Sequence, residues 1–230
     1  MSAGLHSITI SLDGFEQEHN WLRGHPESYG RAVDAIKMLV HEPELVWDVV
    51  TCINSRNYLY LDKLKNYLYR IGVRRWRLFT IFPIGRAASH LELQLSDTEF
   101  TGVMEFIKRV RKEGKMHIDY ACEGFLGKYE SEVRDSFFAC NAGITVGSVL
   151  ADGSISACPS IRSDFHQGNI YHDDFMDVWE NRFQAFRNRK WMKKGVCNDC
   201  SFFRYCEGNG MHLRDDEGKL LFCHLDRLHC

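Results

Sequence analysis

The placement of cysteine constrains this chain of 230 residues more than any other feature. Of its nine cysteines, Cys52 stands alone, while Cys122, Cys140, Cys158, Cys197, Cys200, Cys206, Cys223 and Cys230 all fall in the C-terminal half. Such density can mean disulfides, but the total is odd and Met1-Ser2-Ala3-Gly4-Leu5-His6 lacks the charged start and apolar stretch of an export signal. Reduced thiols at short spacing point instead to metal ligation. The C-terminal half is therefore where the chemistry is expected.

The tightest group is Cys197-x2-Cys200-x5-Cys206, with Cys223 downstream. A two-residue gap lets one loop direct two thiolates at one metal centre, and the four together make a complete tetrathiolate set. Spacing alone leaves zinc and iron–sulfur equally open. From Lys193 onward glycines and loops prevail and aliphatic residues are too few for an ordinary core, so the segment needs a staple. Upstream, Ile144 to Cys158 reads as a hairpin turning at Ala151-Asp152-Gly153-Ser154. It would bring Cys140 and Cys158 to one end, and Cys122 could join them. Taken singly, Cys122 and Cys140 also read as small buried hydrophobes.

The N-terminal half alternates strand and helix patterns. Strands are expected at Leu5–Leu12, Leu45–Ile53, Arg74–Phe82 and Met116–Ala121, and helices at Tyr29–Val40 and Tyr58–Ile71. A further helix should run from the capping box Ser96/Glu99 to Gly114. This order implies right-handed crossovers and a parallel sheet, an α/β fold whose ligands bind at the strand C-termini. Ser11, Asp13, Asn54, Arg77, Pro83, Gly85 and Arg86 lie there, with plain turn chemistry as the alternative. Past Cys122, short helical stretches are expected at Tyr129–Phe138 and Phe175–Phe186. With 29 Lys+Arg against 31 Asp+Glu, the net charge of −2 argues against a nucleic-acid partner. The apolar runs are too short for a membrane span, and a cytoplasmic protein is expected.

The joint pattern is more specific than its parts. Cys140-x12-Gly153-x4-Cys158, then Cys197-x2-Cys200-x5-Cys206 and Cys223, resembles the SPASM domain of radical SAM enzymes. So do Asn141-Ala142-Gly143, Asp152-Gly153-Ser154-Ile155, Gly168-Asn169-Ile170 and Val178-Trp179. Ile10-Ser11-Leu12-Asp13-Gly14 and His19-Asn20-Trp21-Leu22-Arg23-Gly24 resemble the fourth strand and following loop of the radical SAM barrel. Val50-Thr51-Cys52-Ile53-Asn54 and Phe82-Pro83-Ile84-Gly85-Arg86-Ala87 resemble its fifth and sixth strands. The resemblance implies the C-terminal half of a partial (β/α)6 barrel over residues 1–118, followed by a small α+β SPASM domain over 119–230. It also moves the metal expectation from zinc to auxiliary [4Fe–4S] clusters.

Two departures accompany the resemblance. The C-x3-C-x2-C motif that holds the S-adenosylmethionine-cleaving cluster is absent from the sequence, so the chain reads as a fragment that alone should not cleave that cofactor. The family pattern also carries a cysteine four residues after Cys206, where this chain has Gly210. The second auxiliary site keeps Cys197, Cys200, Cys206 and Cys223, whereas the first has Cys140, Cys158 and Cys122. Its fourth position is open, borrowed from Cys230 or His229, or the site is missing altogether. Ser11 is an implied contact of the amino-acid end of S-adenosylmethionine, Arg23 either pairs with a carboxylate or solvates the loop, and Asp13 is either a further contact or an orienting residue. The intact enzyme would hydrogen-abstract from a peptide or protein and draw electrons from a ferredoxin or flavodoxin. Phe202, Phe203 and Tyr205 would shield a cluster from water. A non-catalytic electron-transfer or docking module, or a structural zinc protein, are the competing readings.

Overall fold

The computed structural model describes residues 4–121, 123–215 and 217–229, so Cys122 and Cys230 lie outside the described residues. The chain divides into two compact units, one of residues 1–121, 127–137 and 227–230, the other of 122–126 and 138–226.

The first unit is a four-stranded parallel sheet in the order β1 (Ser7–Ser11), β2 (Val46–Ile53), β3 (Arg75–Thr80), β4 (His117–Tyr120). Helices α1 (Glu16–Arg23) and α2 (Ser28–Leu39) connect β1 to β2. Helices α3 (Ser55–Tyr58) and α4 (Leu61–Arg70) connect β2 to β3, and α5 (Asp97–Glu113) leads to β4. The one-turn α6 (Glu130–Val133) follows. Alternation splits the sheet into two faces. Val49, Thr51, Ile53, Trp76, Leu78, Thr80, Ile118 and Tyr120 are buried on one, as are Val33, Ile36, Leu64, Leu68, Phe100, Val103 and Ile107 from the helices. Thr9, Asp48 and Arg77 occupy the other, where the Thr9 hydroxyl donates to Asp48 at 2.6 Å and Arg77 forks onto the same carboxylate. Helix α5 starts at the foreseen capping box: Ser96 Oγ accepts from the Glu99 amide at 3.2 Å, and the Glu99 carboxylate accepts from the Ser96 amide at 2.7 Å.

The second unit holds a small antiparallel sheet, β5 (Ser148–Val149), β6 (Ser154–Ser156) and β7 (Gly168–Asn169). The third strand explains the Gly168-Asn169-Ile170 signature: Asn169 Nδ2 donates to the Asp152 carbonyl at 3.0 Å and closes the hairpin turn. That turn needs Gly153, whose φ is +83° and whose added Cβ would meet Tyr171 at 2.6 Å. Helices α7 (Phe175–Asn181) and α8 (Gln184–Arg187) carry Val178 and Phe186, which form a core with Ala142, Ile155, Ala157, Ile161, Phe183, Met192 and Met211. Beyond it, among the described residues, come 3-10 turns and the single α-helical turns α9 (Phe203–Cys206) and α10 (His224–Arg227). Among the described residues no helix is long and apolar enough to cross a membrane.

Candidate metal centre

The tight cysteine array is built from loops and single turns. Buried Cys197 ends the 3-10 turn Gly195–Cys197, its amide bonded to the Lys194 carbonyl at 3.0 Å. Half-buried Cys200 follows on the same loop, and α9 then places Cys206 at its last position. Glu207, Gly208 and Asn209 have φ of 48°, 84° and 77°, a left-handed run that turns the Gly208 and Asn209 amides onto the Cys206 thiol. The amides of Leu225 and Asp226 hydrogen-bond Cys223 in the same way. Cys206 lies within electrostatic reach of both Cys223 and Cys197, and Cys223 within reach of Cys197. Three of the four array thiols therefore converge, with Cys200 three residues from Cys197 along the loop.

Burial pushes the Cys206 thiol up to about 12, and the neighbouring Cys223 and Cys197 add to it. Burial raises Cys223 as well. Bare thiols here hold their protons at neutral pH, and a metal must displace them. Phe125, Phe138 and Leu225 form a small buried cluster against Cys140, Cys206 and Cys223. Phe202 and Tyr205 lay their rings on Phe125, with centroids at 6.0 and 6.3 Å. Phe202 and Tyr205 themselves stay partly exposed, and Phe203 packs instead against the core of the second unit.

Arg214 tests whether the donor set suits an anionic metal group. It is 1% exposed; its guanidinium donates to the carbonyls of Gly218 at 2.8 Å and Gly208 at 2.7 Å, and to Cys197 Sγ at 3.4 Å. Its Nε has no partner, and among the described residues no carboxylate pairs with it. A buried cation needs an anion, and a thiolate-ligated metal centre is one. The backbone N–H···S bonds on Cys206 and Cys223 are those that tune iron–sulfur clusters. Among the described residues no three cysteine sulfurs lie within 4.8 Å of one another. The array leaves zinc and iron–sulfur both open on geometry alone.

Cys140 and Cys158 flank the core of the second unit, and both pack against it. The Cys140 carbonyl accepts from the buried Arg189, which also bonds the Phe186 carbonyl at 2.8 Å. The Cys158 carbonyl accepts from Ser156 Oγ at 3.1 Å. Arg189, Arg214 and His212 are positions that reasoning on the sequence missed. The His212 ring occupies the space above Gly210: an added Cβ there would meet its Cε1 at 2.7 Å and its Nδ1 at 3.1 Å. Burial pushes the imidazole down to about 4, so it is neutral at physiological pH.

In the first unit Asp13 is fully buried just past β1. Its carboxylate accepts from Arg23 Nε at 2.6 Å and from the Cys52 amide at 2.9 Å, with His19 Nδ1 at 3.4 Å. Burial alone would raise its pKa, but the contacts with His19, Arg23 and Cys52 prevail and hold it below the ordinary value. Asn57 Nδ2 donates to the Asp13 carbonyl at 2.7 Å, and Asn54 caps α3. Half-buried Ser11 is the last residue of β1, opposite Val50. Arg23 also lines a cleft of about 490 Å³ at the strand C-termini, with Trp21, Ile81, Ile84, Arg86 and His90.

Asp13→Asn should lower stability by about 2 kcal/mol at neutral pH, measured by urea unfolding. Because the folded pKa is depressed, the carboxylate stabilises above its unfolded value and loses that effect as pH falls; the gap between parent and variant should close below about pH 4. Arg214→Met removes a cation beside an anionic centre, which disfavours the more negative, reduced state. A potentiometric titration should therefore show the potential of a reconstituted cluster falling by some tens of millivolts, on the order expected for a lost hydrogen bond and charge at sulfur.

Comparison with known proteins agrees with this architecture. Residues 140–201, which contain Cys140, Cys158, Cys197 and Cys200, match the family model of the SPASM iron–sulfur cluster-binding domain. The AdoMet-dependent heme synthases of Nitratidesulfovibrio vulgaris and Methanosarcina barkeri are each 23% identical over 90% of this chain. The chain spans 60% and 63% of the length of those two relatives. Among solved structures, anSMEcpe with bound AdoMet and the Kp18Cys peptide superposes with a TM-score of 0.61 at 18% identity, over 93% of this chain and 62% of that one. Streptococcus suis SuiB bound to S-adenosylmethionine gives 0.63 at 16% identity, over 88% and 49%. The SPASM match over residues 140–201 and these neighbours of like fold support a radical SAM enzyme with a SPASM domain.

Proposed function

We propose that this chain is the auxiliary-cluster part of a radical SAM enzyme, with Cys197, Cys200, Cys206 and Cys223 holding a [4Fe–4S] cluster. The observation that carries this reading is the buried Arg214 guanidinium against Cys197, beside the Cys206 and Cys223 thiols that accept backbone amides. When bound, the cluster supplies one-electron redox capacity. The chain's residues shape it: the Gly208, Asn209, Leu225 and Asp226 amides and Arg214 stabilise negative sulfur, and buried Phe125, Phe138 and Leu225 pack against its cysteines. Cys140, Cys158 and Cys122 form the first auxiliary site.

At the other end of the chain, Ser11 and Arg23 would contact the amino-acid end of S-adenosylmethionine, Ser11 through its hydroxyl and Arg23 by pairing with the carboxylate. Asp13 positions Arg23 through the buried ion pair. The 230 residues contain no C-x3-C-x2-C motif, so cofactor cleavage falls to a segment that supplies it. Electrons would come from a ferredoxin or flavodoxin in the cytoplasm.

The structural neighbour with a bound peptide supports a peptide or protein substrate. A second reading, a tetrapyrrole, is favoured by the sequence relatives, which carry the name heme synthase and align over nine tenths of the chain. Both readings share the same cysteine chemistry. Anaerobic purification followed by iron, sulfide and zinc analysis tests that chemistry. Iron and acid-labile sulfide should be equal, at about four per chain for each cluster. Zinc without sulfide would replace this reading by a structural zinc module.

A further inference from the structure

We propose that the exposed basic face around the Cys197–Cys206 array is the docking surface of an acidic one-electron carrier protein. This inference rests on the iron–sulfur reading above and names the partner of that same site. From residue 187 to residue 206 the chain carries six Lys and Arg against a single acid, Asp199, although the whole protein has a net charge of −2. Of the six only Arg189 is buried, and the other five are exposed.

These charges are left open to a partner. Among the described residues no carboxylate pairs with Lys193, Lys194 or Arg204. In the first unit, by contrast, Lys65, Lys108, Arg109 and Arg111 are all tied to Asp or Glu. Each of the three free cations lies over a ring instead. Lys193 Nζ is 6.0 Å from the Phe203 centroid, Lys194 Nζ 6.0 Å from that of Trp191, and the Arg204 guanidinium 4.4 Å from that of Tyr205. A ring holds a cation in place without neutralising it.

The centre of the face is apolar. Val196, next to Cys197, is 74% exposed and lines a cleft of about 340 Å³ with Lys194, Lys219, Leu220 and one acid, Glu217. Phe202 and Tyr205, between Cys200 and Cys206, are partly exposed as well, and Cys200 is only half-buried. An apolar centre beside the redox site and a cationic rim suit the small, transient contact of an electron-transfer pair. The sign of the rim selects an acidic carrier, since like charges would repel a basic one. The carrier is oxidised by one electron at this face, the electron enters the tetrathiolate site, and no bond is made or broken.

The test uses the whole chain reconstituted with iron and sulfide, and a [2Fe–2S] ferredoxin as the probe. Calorimetry should record binding of the oxidised ferredoxin that weakens as salt rises. Stopped-flow absorbance should record electron transfer from the reduced form with the same salt dependence. Lys193→Glu/Lys194→Glu should weaken binding and slow transfer by about tenfold at low salt, and Lys193→Gln/Lys194→Gln by less. Lys112→Glu/Lys115→Glu makes the same charge change on exposed residues of the first unit and should alter neither by more than about twofold. Iron and sulfide should match the parent's in all three variants. Equal losses in the first and third variants, no loss in any, or a parent chain that the ferredoxin neither binds nor reduces would overturn the proposal. So would an RNA oligonucleotide that binds this face while the ferredoxin does not. In each case the tetrathiolate assignment stands, whereas zinc without sulfide would remove both readings.

Discussion

A buried cation with thiols as its available counter-charge is the constraint around which the second unit is arranged. Arg214 ties together three pieces of chain that share no regular secondary structure, the Gly208 turn, the Gly218 turn and Cys197. Leaving its charge uncompensated would cost several kcal/mol. In the function proposed, metal-bound thiolates would supply the anion. The protons held on Cys206 and Cys223 by burial must then leave, so metal uptake, charge balance and folding of this region become one coupled event.

The first unit depends on an ion pair of another kind. Asp13 fixes the chain as it leaves β1, joining Arg23 in α1 to the Cys52 amide in β2, while Asn57 holds the Asp13 carbonyl. The carboxylate's hydrogen-bonding capacity is thereby largely taken up by the protein. What reaches the cleft at the strand ends is Arg23. A buried acid that aims an accessible base is a plain way to hold a guanidinium ready for a carboxylate ligand.

Much of the architecture was legible in the sequence because it rests on local signals. The four parallel strands fall within the apolar runs that foreshadowed them, and α5 is bounded by Ser96/Glu99 and Gly114 as its capping chemistry requires. The failures have physical causes. The resemblance places His19–Gly24 in a loop, whereas the structure forms helix α1 there; its buried side chain is His19, which accepts from the Asp13 amide. The stretch Phe175–Phe186 looked like one helix, since its aromatics keep a single face, but the chain breaks at Arg182 so that Phe183 and Phe186 can both enter the core. Strand β7 is two residues long, below what periodicity can register. Tyr129–Phe138 contributes a single turn of α-helix, Glu130–Val133, preceded by a 3-10 turn. At the site, cysteine spacing pointed to the array, whereas Arg214, Arg189 and His212 look like any surface base until burial is known.

The central claim is that thiolate ligation holds the C-terminal cysteine segment in place, and amide hydrogen exchange of the chain with and without iron and sulfide tests it most directly. The account predicts that removing the metal strips protection from residues 195–226 and leaves β2, β3 and α5 as they were. Equal protection of 195–226 in the metal-free chain would contradict it.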